Sequence, residues 1–163
     1  MTGDPLELGP IGPAQMAAVL ALNNLHAREL SLLDRARLDH LVGQAYLALR
    51  AGAGEAFLLA FDERADYDSA NYLWFRARYQ RFAYVDRVAV AQEARGRGLA
   101  RRFYEALFDK ARGDGHSLVA CEVNIDPPNP GSDAFHAAMG FEEAGIAEIY
   151  GGERTVRYLI RPL

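Results

Sequence analysis

Scarce residue types narrow what this chain can be before any motif is considered. Cysteine occurs once in 163 residues, at Cys121, so no internal disulfide forms, which fits a reducing compartment. Basic residues number 18 against 22 acidic ones, and the net charge of −4 argues against general nucleic-acid binding. No apolar run approaches the ~20 residues of a membrane span, and the N-terminus lacks a secretory pattern. We therefore expect a cytoplasmic protein with neither a nucleic-acid nor a membrane partner.

Metal-binding and thiol chemistry are equally poorly supported by the sequence. The histidines other than His136, which are His26, His40 and His116, are scattered without the paired spacing of metal ligands, so no metal is predicted. Cys121 lies in the apolar run "SLVACEV", where a small buried residue is expected rather than a nucleophile.

Strand and helix patterns alternate along the chain, and half of its residues are hydrophobic. Apolar runs and alternation predict strands at 6–8, 46–51, 55–63, 83–90, 117–124, 142–150 and 155–162. Helical spacing and capping residues predict helices at 13–24, 31–45 with Ser31 as cap, 99–112, and 132–141 with Ser132 as cap. We expect one α/β domain over residues 1–163, with a central mixed sheet of about six or seven strands flanked by about four helices.

The most informative stretch is 95–112, "RGRGLARRFYEALFDKAR", where two glycines separate arginines just before an amphipathic helix. A helix N-terminus offers unpaired N–H groups and partial positive charge, and glycine lets a bulky anion approach them. A dinucleotide fingerprint needs a small residue where Arg101 stands, and no Gly-Lys-Ser/Thr of a P-loop is present. The stretch alone leaves two alternatives, a diphosphate site or a solvated basic turn without a ligand.

Motifs around this turn extend the pattern. The turn fits Arg/Gln-x-x-Gly-x-Gly/Ala, it follows the strand "YVDRVAV", and "AFHAAMGF" comes after Asn129. On these motifs the chain resembles the GCN5-related N-acetyltransferase (GNAT) superfamily over nearly its whole length, and more narrowly a bacterial branch of it. The resemblance implies the GNAT fold, acetyl-CoA as cosubstrate, and direct acetyl transfer to an amine of a small molecule or peptide. It leaves a homodimer open.

The resemblance also assigns residues to the cosubstrate. In the family the turn wraps the diphosphate, the strand before it pairs with the pantetheine arm, and one strand N–H polarises the thioester carbonyl. An asparagine after the next strand contacts the same arm, although Asn129 can instead satisfy local backbone. The residues so assigned are Val88, Ala89, Val90, Arg95, Gly96, Arg97, Gly98, Leu99, Ala100 and Asn129.

The catalytic groups cannot be carried over so directly. Tyr84 stands near the position where some family members have a catalytic Glu, so the base is sought among nearby carboxylates, Glu122 and Asp86. Each has an alternative structural role, Asp86 as partner of an arginine and Glu122 as a loop cap. His136 stands where many members have the tyrosine that protonates the departing thiolate, so it is either that acid or a packed helix residue.

Three functional alternatives therefore remain at this point. The leading one is an N-acetyltransferase. A non-catalytic acyl-CoA-binding or regulatory domain is the second, because Tyr84 and His136 depart from the family pattern. An enzyme that acylates an alcohol is the third. The aromatic segment 67–82 is expected mostly in the core or in a dimer contact, with Asp66, Asp68 and Asn71 as alternative contacts for an amine.

Overall fold

The computed structural model describes residues 6–163, which form seven strands and six α-helices. The strands are β1 Leu8–Pro10, β2 Leu47–Ala51, β3 Ala56–Asp62, β4 Ala83–Val90, β5 Leu118–Asp126, β6 Glu142–Ile149 and β7 Arg154–Pro162. The helices are α1 Met16–Leu25, α2 Ala27–Leu30, α3 Arg35–Gln44, α4 Ala70–Arg76, α5 Leu99–Gly113 and α6 Pro130–Ala138. The predicted α/β class with a mixed sheet is confirmed. No helix among residues 6–163 is both long and apolar enough to span a membrane.

Several element boundaries differ from the sequence predictions for local reasons. Ser31 does not begin a helix; it ends α2, with a φ of 69°. Asp34 caps α3 instead, where its Oδ1 accepts from the Arg37 N–H at 2.7 Å. Asn129, rather than Ser132, caps α6. The first strand starts at Leu8 instead of residue 6, and α2 and α4 are additional helices.

The sheet order is β1-β2-β3-β4-β5-β7-β6, so the last two strands exchange places relative to the chain order. Strand β4 pairs in parallel with β5, with Ala83 opposite Val119 and Tyr84 opposite Ala120. Strand β7 pairs antiparallel with both β5 and β6, and places Tyr158 opposite Glu122. This register brings a tyrosine hydroxyl and a carboxylate onto neighbouring positions of one sheet.

Two compact units make up the chain, each from two separate segments. The first consists of the chain up to Phe61 together with Val85–Leu107, and the second of Asp62–Tyr84 with Phe108–Leu163. A single domain over residues 1–163 stays a prediction.

A buried polar cluster ties the start of the first unit together. Asn23 is 0% exposed and donates from Nδ2 to the Ser31 carbonyl at 2.9 Å. Its Oδ1 accepts from the Arg87 guanidinium at 3.0 Å, and Arg87 also donates to Asp86 at 2.7 Å. The cluster therefore connects α1 to the turn after α2 through a neutral bond, and to β4 through a bond from the Arg87 guanidinium, which is charge-assisted and stronger.

Replacing Asn23 with alanine is expected to lower the free energy of unfolding by about 2–4 kcal/mol. The variant removes an acceptor from the buried Arg87 guanidinium, which carries a desolvation cost, and a donor from the Ser31 carbonyl. Urea denaturation of the variant measures the effect. Asp39→Ala is the control, because its ion pair with Arg35 is half exposed and should change stability by less than about 0.5 kcal/mol. Similar small losses in both variants would contradict a structural role for the cluster.

Candidate functional site

The glycine turn after β4 has a backbone that only glycine adopts readily. Gly96 has a φ of 78° and Gly98 a φ of 70°, both in the left-handed region. A Cβ at either position would meet no other atom within 4 Å, so the requirement is conformational and the space beside both residues is open. The Arg102 N–H donates to the Gly98 carbonyl at 3.0 Å, which starts α5 directly at the turn.

Positive charge and exposed backbone coincide at this turn. Arg95 and Arg97 are exposed, and α5 begins at Leu99 with 15 residues behind it. The first N–H groups of such a helix have no partner within the helix and carry partial positive charge. Open space, left-handed glycines and two arginines therefore fit the diphosphate of acetyl-CoA.

Strand β4 leads into the turn with a period-two burial pattern. Val88 and Val90 are half-buried and share a face with Asp86, while Ala89 is buried. Ala91, directly after the strand, donates its N–H to the Glu55 carbonyl at 2.8 Å. The contact of Val88, Ala89 and Val90 with a pantetheine arm stays a prediction.

The Asp86 carboxylate is engaged in an ion pair. Its Oδ2 lies 2.7 Å from the Arg87 Nε, and the two side chains are only 5% and 7% exposed. This is the structural alternative that the sequence left open for Asp86. Because both residues lie on β4, Asp86 stabilises the buried Arg87 guanidinium, and Arg87 in turn contacts Asn23 on α1.

Glu122 lies in a different environment, at a half-buried position of β5. Its Oε2 accepts from the Tyr84 hydroxyl at 2.7 Å, and its Oε1 accepts from the Asn71 Nδ2 at 3.1 Å. Asn71 Oδ1 in turn accepts from the Tyr158 hydroxyl at 2.9 Å. The Tyr84 hydroxyl and the Asn71 amide are both neutral donors, and a carboxylate that accepts such bonds can receive a proton.

An aromatic and cationic stack lies beside this network. The Trp74 ring stacks on Tyr158 with centroids 4.2 Å apart and planes at 19°, and the Arg78 guanidinium lies 3.9 Å from the Trp74 centroid. A Cβ on Gly145 would lie 2.6 Å from Trp74, so only glycine fits at that position of β6. Burial, together with the Glu122 charge, raises the pKa of Tyr158 to about 12, while the Arg78 charge acts in the opposite direction.

Asn129 and His136 lie on the same short helix. The Asn129 Oδ1 accepts from the Ser132 N–H at 3.2 Å, so the residue satisfies local backbone, and a contact with the cosubstrate stays a prediction. His136 is 5% exposed, and its Nδ1 lies 2.8 Å from the Ser132 carbonyl oxygen. A carbonyl only accepts, so in this bond Nδ1 carries the proton. The rings of Phe135 and Phe141 each lie 5.2 Å away, edge to face.

The environment of His136 favours a neutral ring. Burial lowers the pKa of His136 below its usual 6.5, against smaller opposing effects of the Ser132 carbonyl and Asp133. A neutral ring whose Nδ1 proton is directed at the helix backbone is suited to packing. Its role as the acid for the thiolate stays a prediction.

The pH dependence of stability should report this burial. The unfolded chain binds a proton at His136 near pH 6.5 and the folded chain only at lower pH. The contribution of the neutral ring is therefore complete above pH 6.5 and is lost as the pH falls towards the folded-state value. Urea denaturation at pH 7.5 and 5.5 should show a larger loss for the wild type than for His136→Phe. An equal loss in both proteins would contradict a lowered pKa.

One further group of titratable side chains comes together although the sequence separates them. Asp62, Glu63 and His116 offer ligand-type atoms that all lie within 4.8 Å of one another. His116 Nε2 is 3.4 Å from Glu63 Oε2, and Glu63 also accepts from the Phe82 N–H and pairs with Arg81. These contacts form a cluster of two carboxylates, an arginine and a histidine close to the start of β5.

The sequence names Glu122 as a candidate base but does not predict the side chains that hold it. In the sequence Tyr84 is only a departure from the family pattern, and Asn71 only an alternative contact for an amine. The sequence gives no functional signal for Tyr158, although the alternation of side chains along β7 predicts that it is buried. The missing information is the register of β7 on β5, which places Tyr158 opposite Glu122.

Comparisons with known proteins agree with the observed fold and with the family resemblance. The profile of the family described as "Acetyltransferase (GNAT) family" matches residues 20–141. The chain is similar to the L-methionine sulfoximine/L-methionine sulfone acetyltransferase of Pseudomonas paraeruginosa, with 27% identity over 82% of this chain and 78% of that protein. A shorter match, 33% identical, covers 42% of this chain and 40% of the L-2,4-diaminobutyric acid acetyltransferase of Wolinella succinogenes.

A solved structure extends the likeness over nearly the whole chain. It is the NatC complex bound to Gag peptide and CoA, with a TM-score of 0.74 and 17% identity, covering 97% of this chain and 98% of that chain. At this identity the likeness concerns the fold.

Proposed function

We propose a class of acceptor for this chain. The chain belongs to the acetyltransferase (GNAT) family and is an N-acetyltransferase that uses acetyl-CoA. The acceptor is a small primary amine that also carries a carboxylate, as a free amino acid does. The two curated relatives are named for amino-acid-like acceptors, which supports this class.

The observation that carries the proposal is the pair of opposite charges around Tyr158. The Arg78 guanidinium lies 3.9 Å from the centroid of the Trp74 ring, which stacks on Tyr158 at 4.2 Å. Glu122 lies opposite Tyr158 in the pairing of β5 with β7. Glu122 is held by neutral donors, and Arg78 lies over Trp74 with its Nη1 donating to the Trp74 carbonyl at 2.9 Å. A zwitterion, with ammonium towards Glu122 and carboxylate towards Arg78, matches this arrangement.

The proposed chemistry is direct transfer. Acetyl-CoA supplies an acetyl thioester. The acceptor arrives as an ammonium with a pKa near 10, and Glu122 takes one of its protons. The amine lone pair then attacks the thioester carbonyl, so that a C–N bond forms and the C–S bond breaks. CoA leaves as the thiolate, and the second proton lost by the nitrogen converts it to the free thiol. In this proposal one N–H among Val88, Ala89 and Val90 donates to the carbonyl oxygen, and residues Arg95–Ala100 hold the diphosphate.

Initial rates with matched acceptors test the acceptor class. Each L-amino acid is compared with its α-amide and with the amine that lacks the carboxylate, and a short peptide with a free N-terminus is added. We expect kcat/KM to be at least ~10-fold higher for the amino acid, which corresponds to ~1.4 kcal/mol. Equal rates for acid, amide and decarboxylated amine, or a preference for the peptide, would overturn the proposal.

A pair of arginine variants locates the carboxylate contact. Arg78→Gln should raise KM for amino acids roughly 10-fold and leave KM for decarboxylated amines unchanged. Arg76→Gln is the matched control, because Arg76 is also exposed but lies 5.7 Å from the Tyr72 ring instead. Equal effects of both variants would show that Arg78 does not bind the acceptor.

A further inference from the structure

The second unit contains a chain of hydrogen bonds that runs through four side chains from four elements. Tyr158 on β7 donates to Asn71 Oδ1 at 2.9 Å, and Asn71 on α4 donates from Nδ2 to Glu122 Oε1 at 3.1 Å. Tyr84 on β4 donates to the other carboxylate oxygen at 2.7 Å. Glu122 is thus held from both sides by donors whose own positions are set by separate elements.

The direction of each bond follows from the chemistry of the groups. An ionised carboxylate only accepts, so Asn71 must present its NH₂ group to Glu122. The Asn71 carbonyl oxygen then faces Tyr158, whose hydroxyl must donate. Since the pKa of Tyr158 is raised to about 12, this hydroxyl keeps its proton at any pH at which the enzyme works. The orientation of the Asn71 amide is therefore fixed by both of its neighbours.

Packing leaves these groups little freedom to move. Asn71 is 8% exposed and Tyr158 only 1%. The Trp74 ring covers Tyr158, and Phe75 meets the same ring edge to face at 5.2 Å. A buried amide of this kind is costly to leave unpaired, so the arrangement is retained only if every bond is made.

We propose that Asn71 is a positioning residue for proton transfer, with Tyr158 fixing its orientation. The proposal rests on the proposed function of Glu122 as the group that takes the proton from the acceptor. The Asn71 N–H fixes the rotation of the carboxylate and favours its ionised form, which is the form that accepts a proton. Without it the carboxylate rotates more freely and is protonated at higher pH, and both effects lower turnover.

Kinetics of Asn71→Ala and Tyr158→Phe over a range of pH test this proposal. For Asn71→Ala we expect kcat to fall roughly 10-fold or more, the acid limb of the kcat/KM profile to move to higher pH, and the Kd for CoA to stay within about twofold. Tyr158→Phe should move the limb in the same direction by less. If Asn71→Ala does not fold, Tyr158→Phe alone decides the outcome.

Tyr72→Phe is the matched control. Tyr72 is also fully buried, and its hydroxyl donates to the Asp62 carbonyl at 2.6 Å. Loss of this hydroxyl should reduce the stability of the protein without moving the acid limb. An unmoved acid limb in both Asn71→Ala and Tyr158→Phe would overturn the proposal even if kcat fell.

The companion variant Glu122→Gln distinguishes failure of the Asn71 proposal from failure of the proposed function of Glu122. If it keeps the wild-type rate and limb, the proposed proton acceptor is wrong and Asn71 has no positioning role. If Glu122→Gln loses the limb while the Asn71 variant keeps it, only the Asn71 proposal fails.

Discussion

Replacing Glu122 with glutamine is expected to lower kcat roughly 100- to 10,000-fold, the range of a general base. Glutamine has the same size and can still accept one bond from Asn71, with its NH₂ group turned to the Tyr84 oxygen. The variant therefore removes the negative charge and the site for the proton with little change in packing. Thiol release from acetyl-CoA measures kcat, and calorimetric titration with CoA should give an unchanged Kd.

Asp86→Asn is the rival variant, because Asp86 is the other carboxylate considered as the base. Its ion pair with Arg87 lies within the cluster around Asn23, so we expect it to lower the free energy of unfolding more than kcat. A 100-fold loss of kcat in a stable Asp86→Asn protein, together with a nearly active Glu122→Gln protein, would reverse the two assignments.

Replacing Gly98 with glutamate is expected to abolish measurable CoA binding. The change places a carboxylate in the open space beside the turn, where the diphosphate is proposed to lie. Two negative charges placed side by side cost several kcal/mol of binding free energy. It also forces a side chain onto a residue with a φ of 70°. Calorimetric titration should show a Kd raised by at least about 100-fold, since each tenfold corresponds to about 1.4 kcal/mol.

Gly98→Ala separates the two causes, because alanine shares the backbone strain but adds no charge. We expect its Kd for CoA to rise much less than that of the glutamate variant. Both proteins must unfold near the wild-type urea concentration for the comparison to hold. An unchanged CoA affinity in a folded Gly98→Glu protein would contradict the diphosphate site at residues 95–100.

Local patterns were enough to predict most of the elements. The alternation in "AYVDRVAV" predicts β4 with the observed bounds Ala83–Val90, and the spacing of Leu99, Phe103 and Leu107 predicts the buried side of α5. The turn before α5 was predictable because glycine and arginine have specific backbone and charge requirements there. These features depend on residues close together in the chain.

Features that depend on distant partners were not predictable in the same way. Ser31 and Asp34 are both good helix caps. The choice depends on Asn23, which donates to the Ser31 carbonyl, and on Asn24, which accepts from the Leu33 N–H. The setting of Glu122 depends on the register of β7 and on α4, a helix that the aromatic segment 67–82 did not reveal. Sequence patterns identify which groups carry charge, but long-range packing decides which groups hold them.

The most direct test of this account is calorimetric titration of the purified protein with acetyl-CoA and CoA, followed by thiol release with the acceptor panel. The account predicts that both ligands bind and that thiol is released fastest with amines that carry a carboxylate. If neither ligand bound, the proposed diphosphate site at residues 95–100 would be contradicted. If both bound but no amine released thiol, the assignment of Glu122 as a working base would be contradicted.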